Sequence, residues 1–219
     1  MSNENEIEQK VAEFLLQIKA IKLQPNNPFT WASGWRSPIY CDNRITLSHP
    51  SIRTYIRQKL AELIQEKYGS VSIIAGVATA GIPQGVLVAQ ELGLPFIYVR
   101  SKPKEHGTGS LIEGEFSEGQ RVVVVEDLIS TGKSSLHAVE ALRNAGLEVA
   151  GLAAIFNYGF DTAEQNFKNA KCRFSTLSNY SALIDYAAKH SFVSEDDLLL
   201  LRKWRENPSE WNNTIQNLA

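Results

Sequence analysis

The hydrophobic and polar positions in the first third of the chain predict two helices separated by an irregular segment. Apolar residues recur every three or four positions between residues 5 and 20, which predicts an amphipathic helix. A Pro- and Gly-rich segment follows over residues 23–44, and its stretches 29–31 and 38–41 are expected to form a short antiparallel pair. Ser48 is the predicted cap of a second helix that has Pro50 in its first turn and runs to about residue 67.

The rest of the chain alternates between short apolar runs and helical patterns. Strands are predicted at residues 71–75, 95–99, 121–125 and 149–156, helices at 81–92 and 134–145, and a long Gly-containing loop at 101–119. The run RVVVV at 121–125 is typical of a strand buried on both faces. This alternation predicts an α/β fold with a parallel central sheet flanked by helices and a small N-terminal hood. The tail after Tyr180 is predicted to be helical, with Trp204 and Trp211 packing it onto the body.

Length and composition indicate one ordinary globular domain. At 219 residues we expect a single domain, with the hood over about residues 1–45 and the helical tail over about 180–219. The 22 basic and 24 acidic residues give a net charge of −2, which argues against a general nucleic-acid binder. Two cysteines make no disulfide framework, and the polar, acidic first ten residues do not resemble a secretion signal. Without an apolar run of about 18 residues, the expected location is the cytoplasm and no membrane partner is expected.

Residues 122–135, VVVVEDLISTGKSS, are the strongest candidate for chemistry. Glu126 and Asp127 follow the predicted strand directly, and ligands of open parallel sheets bind just beyond the carboxyl ends of the strands. The turn over 129–134 opens a helix, whose free N–H groups and positive dipole end suit a phosphate. Gly132 lets the backbone approach closely, and hydroxyl donors surround it at Ser130, Thr131 and Ser134. Because carboxylates repel phosphate but suit vicinal hydroxyls, a phosphorylated sugar is the predicted ligand.

Two other interpretations of this segment are weaker. The sequence from Gly132 to Ser134 imitates the end of a nucleotide P-loop, but Asp127 stands where that motif requires Gly, which excludes it. The segment can also be a plain strand-to-helix turn with exposed acids. The four valines followed by two adjacent acids make this structural alternative the less favoured one.

Three further segments carry candidate binding residues, each with a purely structural alternative. The Gly-rich loop carries a basic cluster of Arg100, Lys102, Lys104 and His106. The loop can be a lid that closes over a polyanion, or simply a charged loop exposed to solvent. The small residues of GVATAG, at 76–81, can turn backbone N–H groups toward an anion, or form a tight turn. The hood holds the aromatic residues Phe29, Trp31, Trp35 and Tyr40, beside Arg36 and Arg44. These aromatic side chains can cover a flat anionic base, or they can belong to the hydrophobic core.

The 122–135 segment resembles the phosphoribosyl-diphosphate (PRPP) motif of the type I phosphoribosyltransferases. Residues 28–44 (PFTWASGWRSPIYCDNR), 75–83 (AGVATAGIP) and 98–107 (YVRSKPKEHG) resemble the members of that family that use orotate. The resemblance covers roughly residues 10–190. It implies an enzyme that transfers the 5-phosphoribosyl group from PRPP to orotate, giving orotidine 5′-monophosphate and diphosphate in pyrimidine nucleotide synthesis.

The resemblance also implies roles for individual residues. Lys104, Asp127 and Glu126 would be catalytic, and orotate would lie against Tyr40, Cys41 and Ser130. PRPP would be bound by Arg100, Lys104, His106, Glu126, Asp127, Leu128, Ile129, Ser130, Thr131, Gly132, Lys133 and Ser134. Mg²⁺ would arrive on PRPP, without a dedicated protein ligand. A homodimer would share its sites, each taking loop 101–114 from the neighbouring subunit.

The chain departs from another form of the family at several positions. Thr79 and Ala80 stand where that form has Tyr-Lys, Ala32 replaces a Lys, and Tyr158 replaces an Arg that contacts the base carboxylate. Two alternative functions are a phosphoribosyltransferase for another base and a PRPP-binding transcription regulator. The regulator is disfavoured because the roughly 20 residues before the Pro- and Gly-rich segment are too few for a winged helix and the net charge is negative.

Overall fold

The computed structural model describes residues 3–31, 34–103, 110–209 and 211. The first part of the chain holds α1 (Asn3–Gln17), β1 (Ile21–Leu23), β2 (Phe29–Thr30), β3 (Arg36–Ser37), β4 (Ile39–Cys41), a 3-10 helix (Asn43–Ser48) and α2 (Pro50–Tyr68). Then follow β5 (Ile73–Val77), α3 (Gly81–Leu92), β6 (Phe96–Val99), β7 (Ile112–Glu113), β8 (Arg121–Ile129) and α4 (Lys133–Asn144). The last elements are β9 (Glu148–Asn157), α5 (Asp161–Asn169), β10 (Phe174–Asn179), α6 (Tyr180–Lys189) and α7 (Glu195–Glu206).

A six-stranded sheet forms the centre of the fold, in the order β10-β9-β8-β5-β6-β7. Its strands pair in parallel except for β7, which runs antiparallel to β6. The predicted α/β class with a parallel central sheet is therefore confirmed. None of the described helices is long and apolar enough to cross a membrane.

Apolar side chains bury both faces of the sheet, as the RVVVV run predicts. Val123 and Val125 face a core formed with α1, α2, α3, α6, α7 and the hood. Val122 and Val124 face a second core formed with α4, α5 and β7. Because successive side chains of a strand point to opposite faces, β8 contributes to both cores.

Two predictions about the N-terminal segment are wrong. Residues 29–31 and 38–41 do not pair with each other: β2 pairs with β3, next to a hydrogen bond from the Trp31 N–H to the Trp35 carbonyl at 2.8 Å, and β4 pairs with β1. Pro38 separates β3 from β4 and allows the two strands to take different partners. Ser48 does not cap α2, because it belongs to the preceding 3-10 helix and His49 occupies the cap position.

Several other boundaries differ from prediction. β8 continues four residues past the predicted end, through Ile129, because its pairing with β9 extends to Ile129 and Asn157. The predicted loop 101–119 contains β7, and α5 and β10 were not predicted. α3 has the predicted bounds. Trp204 and Trp211 are buried against the body, as expected of the tail.

Candidate active site

The two adjacent acids lie inside the last part of β8 and point to opposite faces of the sheet. Glu126 is 5% exposed; its Oε1 accepts from the Asp127 backbone N–H (3.0 Å) and its Oε2 from the Ser135 hydroxyl of α4 (3.4 Å). Asp127 is partly exposed and lies on the side of the hood, where the Asn43 amide donates to its backbone carbonyl at 2.6 Å. One carboxylate is thus enclosed by the fold while its neighbour remains accessible.

Burial perturbs the proton affinity of both carboxyl groups. It raises the pKa of Glu126 well above its ordinary value, and the nearby negative charge of Asp127 raises it further. Burial also raises the pKa of Asp127, opposed by the hydrogen bond from Glu126 and by the positive charge of Arg44. Strongly perturbed acids beside a cavity are typical of a functional site.

The turn after β8 leads into the N-terminus of α4 without a capping side chain. Gly132 occupies the cap position with φ 79° and ψ 3°, a left-handed conformation that Gly adopts without strain. The first-turn N–H groups of a helix have no intrahelical acceptor, and α4 has no acidic residue in that turn to offset its dipole. The end of α4 is therefore suited to bind an anion.

Helix α5, which the sequence patterns did not reveal, supports this turn from behind. Asn166 donates its side-chain amide to the Thr131 carbonyl at 2.9 Å. A Cβ on Gly132 would lie 2.6 Å from the Phe167 ring, so Gly is required for close packing as well as for its backbone angle. Asn166 and Phe167 are thus site residues that the sequence analysis missed.

A cavity of about 570 Å³ opens between the α4 turn and the ends of β5 and β6. Seven of the predicted PRPP-binding residues line it: Arg100, Leu128, Ser130, Thr131, Gly132, Lys133 and Ser134. Ile129 is buried in the core below the turn. Ala78 and Val99 form part of the opposite wall, and His137 of α4 lies at the edge. Lys104 and His106 lie outside the described residues, so the structure does not place them.

Arg100 stands where β6 enters the loop. Its backbone N–H donates to the Leu111 carbonyl at 2.8 Å, and its guanidinium forms an ion pair with Glu113 of β7 at 3.1 Å. The short strand β7 therefore anchors the returning end of the loop beside Arg100. Arg100 also lines the cavity, so this ion pair holds its side chain at the cavity wall.

Small residues at 76–81 allow α3 to begin close to the acids. A Cβ on Gly81 would lie 2.6 Å from the Val125 carbonyl oxygen and 3.3 Å from Glu126 Oε1. Ala80 occupies the cap position of α3 without a side-chain cap hydrogen bond, and the Ala78–Thr79 peptide bond is cis. Of the segment 76–81, which is predicted to bind an anion through its backbone, Val77 and Ala78 line the cavity.

The hood places the predicted base-binding residues on the Asp127 side of β8. Tyr40 is 39% exposed and its ring centroid lies 5.6 Å from that of Phe29. The Cys41 thiol donates to the Asn43 side-chain oxygen at 3.3 Å, and burial raises the pKa of this thiol well above its usual value. Tyr40 and Cys41 are thus near Asp127 but are not part of the cavity lining.

Tyr158 belongs to the support of the hood. It is 2% exposed, and its ring lies 5.1 Å from Trp31 and 5.4 Å from Phe160. Tyr158 is therefore a buried member of an aromatic cluster and offers no positive charge to a bound base.

Protein ligands for a metal ion are not grouped in the part of the chain that the structure describes, where no three His, Cys, Asp or Glu side chains converge. The cavity is lined by apolar side chains together with hydroxyl groups and the basic side chains of Arg100 and Lys133.

Comparison with known proteins first identifies the class of protein to which this chain belongs. A family model described as a phosphoribosyl transferase domain matches residues 46–190. The match spans 145 of the 219 residues, which defines the class of this protein as a phosphoribosyltransferase.

Relatives that match nearly the full chain identify the family within this class. The orotate phosphoribosyltransferase of Bacteroides thetaiotaomicron is 58% identical over 206 residues, which are 94% of this chain and 97% of that protein. That of Porphyromonas gingivalis is 56% identical over 201 residues, 92% of this chain and 96% of that protein. The crystal structure of orotate phosphoribosyltransferase from Aeropyrum pernix superposes with a TM-score of 0.73 at 29% identity, covering 84% of this chain and 99% of that one. The chain belongs to the orotate phosphoribosyltransferase family.

Proposed function

We infer that the protein transfers the 5-phosphoribosyl group from PRPP to orotate and releases diphosphate, a step of pyrimidine nucleotide synthesis. The observation that carries this inference is the end of β8, where a partly exposed Asp127 is followed within a few residues by an uncapped helix N-terminus in a cavity. A carboxylate and an anion site at this spacing fit a ribose ring and its 5′-phosphate.

The transfer requires no covalent intermediate with the protein. The N1 nitrogen of orotate forms a bond to the anomeric carbon as the bond from that carbon to the diphosphate oxygen breaks, with inversion. Positive charge develops on the ribose ring, and fixed negative charge nearby stabilises it. Asp127, with Glu126 behind it, would hold the ribose hydroxyls and supply that charge, while residues 129–134 anchor the 5′-phosphate.

The departing diphosphate needs positive charge. Arg100 already stands at the cavity mouth, and Lys104 and His106 would join it from the loop. Mg²⁺ bound to PRPP would neutralise part of the diphosphate charge when present. Since Thr79 and Ala80 bring no cation to the 76–81 turn, the loop carries more of this task.

Orotate would lie under the hood. Tyr40 offers an exposed ring for a flat base, Cys41 lies beside it, and Ser130 reaches from the cavity turn. Arg36 would bring positive charge to the anionic base, and Arg44 lies in the same part of the chain, paired with Asp42 at 2.6 Å.

We propose further that two copies of the chain share each site. Loop 101–114 of one subunit would enter the cavity of the other, so that Lys104 and Asp127 of one site come from different chains. A cytoplasmic location is part of the proposal, supported by the free state of Cys41 and Cys172.

The proposal is tested by the loss of orotate absorbance with PRPP and Mg²⁺, alongside a panel of uracil, hypoxanthine and adenine. Consumption of orotate alone is expected; consumption of another base instead, or of none, would overturn it. Asp127→Asn should lower kcat by on the order of tenfold to a thousandfold, with a smaller change in PRPP affinity. Asp161→Asn, at an exposed position in the first turn of α5, is the matched control and should leave kcat unchanged.

A further inference from the structure

Buried polar side chains concentrate behind the end of β8. Seven polar or charged residues of the described chain are buried: Ser37, Asn43, Thr46, Gln84, Glu126, Ser135 and Ser178. One of the seven is the acid Glu126, and four others connect to the two acids directly or through one another, whereas Ser37 and Ser178 do not. Burying polar groups costs free energy unless they are well bonded, so a cluster of this kind needs a reason. The member that touches Asp127 is Asn43.

Asn43 bonds to β8 at the point where the sheet no longer supports it on both sides. The pairing of β8 with β5 ends at Val125, whereas the pairing with β9 continues to Ile129. Asp127 lies in this one-sided stretch, and the Asn43 amide donates to its carbonyl oxygen at 2.6 Å. A side chain from the hood thus supplies a main-chain hydrogen bond where a strand partner is missing.

The Asn43 amide is itself held in a fixed orientation. Its Oδ1 accepts from the Cys41 thiol at 3.3 Å, which leaves the NH₂ group directed at β8. Behind it, the Thr46 hydroxyl donates to the Asn43 carbonyl at 2.6 Å, and Gln84 of α3 donates to Thr46 at 3.2 Å. Asn43 is therefore fixed from both the hood and α3, and it is fully buried.

We propose that Asn43 is a positioning residue that links the base-binding hood to the ribose-binding carboxylate of Asp127. The proposal deepens the function inferred above and rests on it. The chain of contacts runs from β4, which carries Tyr40 and Cys41, through Asn43 to the backbone of Asp127. The charge of Asp127 must lie close to the positive charge that develops on the ribose ring. A displacement of the Asp127 backbone therefore reduces the stabilisation of the transition state more than it reduces the affinity for substrate.

The test compares Asn43→Ala with Ser178→Ala. Both residues are fully buried and both donate a side-chain hydrogen bond to a distant backbone carbonyl, Asp127 for Asn43 and Glu8 for Ser178. Both variants are expected to lower the melting temperature. Asn43→Ala should also lower kcat by on the order of tenfold to a hundredfold, with KM for PRPP changing much less. Ser178→Ala should keep kcat within about twofold of the parent.

A double variant separates positioning from general destabilisation. In an Asp127→Asn background the charge that Asn43 positions is gone, so adding Asn43→Ala should lower kcat by no more than about twofold. The nearly isosteric Asn43→Asp, which cannot donate when ionised, repeats the comparison if the alanine variant does not fold. If Asn43 variants keep the parental kcat, or if their effect is undiminished beside Asp127→Asn, the inference is overturned. An inactive parent protein would instead overturn the proposed function.

Discussion

Replacing Trp204 measures how strongly the tail holds the hood. Its ring is fully buried and lies 5.4–5.9 Å from those of Trp31, Tyr158, Phe160 and Tyr180. Its indole N–H donates to the Arg36 carbonyl of β3 at 3.3 Å. One side chain of α7 thus contacts the hood, the end of β9 and the start of α6.

The expected loss is large because the cavity left behind is lined by rigid rings. A buried Trp→Ala substitution costs about 3–5 kcal/mol, and a domain of this size loses about 2–4 °C per kcal/mol. Trp204→Ala should therefore lower the melting temperature by roughly 6–20 °C. Trp204→Phe keeps a ring but loses the N–H donor, so we expect a loss of about 1–2 kcal/mol.

The assay is thermal unfolding followed by circular dichroism at one protein concentration, with KM for orotate measured well below the transition. Leu199→Ala is the matched control, since Leu199 lies in the same helix and is 58% exposed; it should change stability by less than about 0.5 kcal/mol. KM for orotate should rise more than KM for PRPP in Trp204→Ala, because the hood loses its support. A melting temperature within about 2 °C of the parent would refute this account of the tail.

Three further predictions concern the acids, the α3 contact and the shared site. Burial raises the pKa of Glu126 above its ordinary 4.5, so the folded state loses stability as pH rises from 4.5 through the folded pKa. The melting temperature of Glu126→Gln should therefore exceed that of the unmodified protein by a difference that grows with pH. A difference that does not depend on pH, or that equals the one for Glu140→Gln at an exposed position, would contradict this prediction. Gly81→Ala should lower the free energy of unfolding by about 1–3 kcal/mol and remove most of the activity, because its Cβ would lie 2.6 Å from the Val125 backbone. Gly85→Ala is the control and should lose less, since its Cβ would meet the movable ring of Phe96 at 2.6 Å. Equal losses in the two variants would contradict this prediction. Mixing Lys104→Ala with Asp127→Asn and allowing subunits to exchange should restore about a quarter of the orotate consumption of the unmodified protein, because half of the dimers are mixed and each has one intact site. Activity that stays at the average of the two variants after proven exchange would show that the sites are not shared.

Strong local signals predicted the central elements correctly. Helix α3 has its predicted bounds because small residues open it and Gly93 ends it in the left-handed region. The β8 boundary was wrong because Glu126 and Asp127 end the apolar run, while the pairing with β9 carries the strand four residues further. Composition describes which residues are polar, and pairing decides where the strand ends.

Elements with weak local signals were missed for identifiable reasons. α5 buries only Ala163 and Phe167 in nine residues, too few to show a helical period. Only Leu177 and Ser178 of β10 are buried, so no apolar run marks this strand. The contact of Asn43 with Asp127 spans 84 positions, and no pattern near either residue indicates it. The PRPP turn was found because its residues are consecutive.

The composition of the larger core bears on where the chain can be cut. The family model covers residues 46–190, yet the core on that side of the sheet also contains Val11 and Leu15 from α1, Ile39 from the hood, and Trp204. A fragment limited to 46–190 would expose this apolar face, and we expect it to aggregate when expressed alone. In this protein the segment that the family model matches is therefore shorter than the segment that we expect to fold on its own.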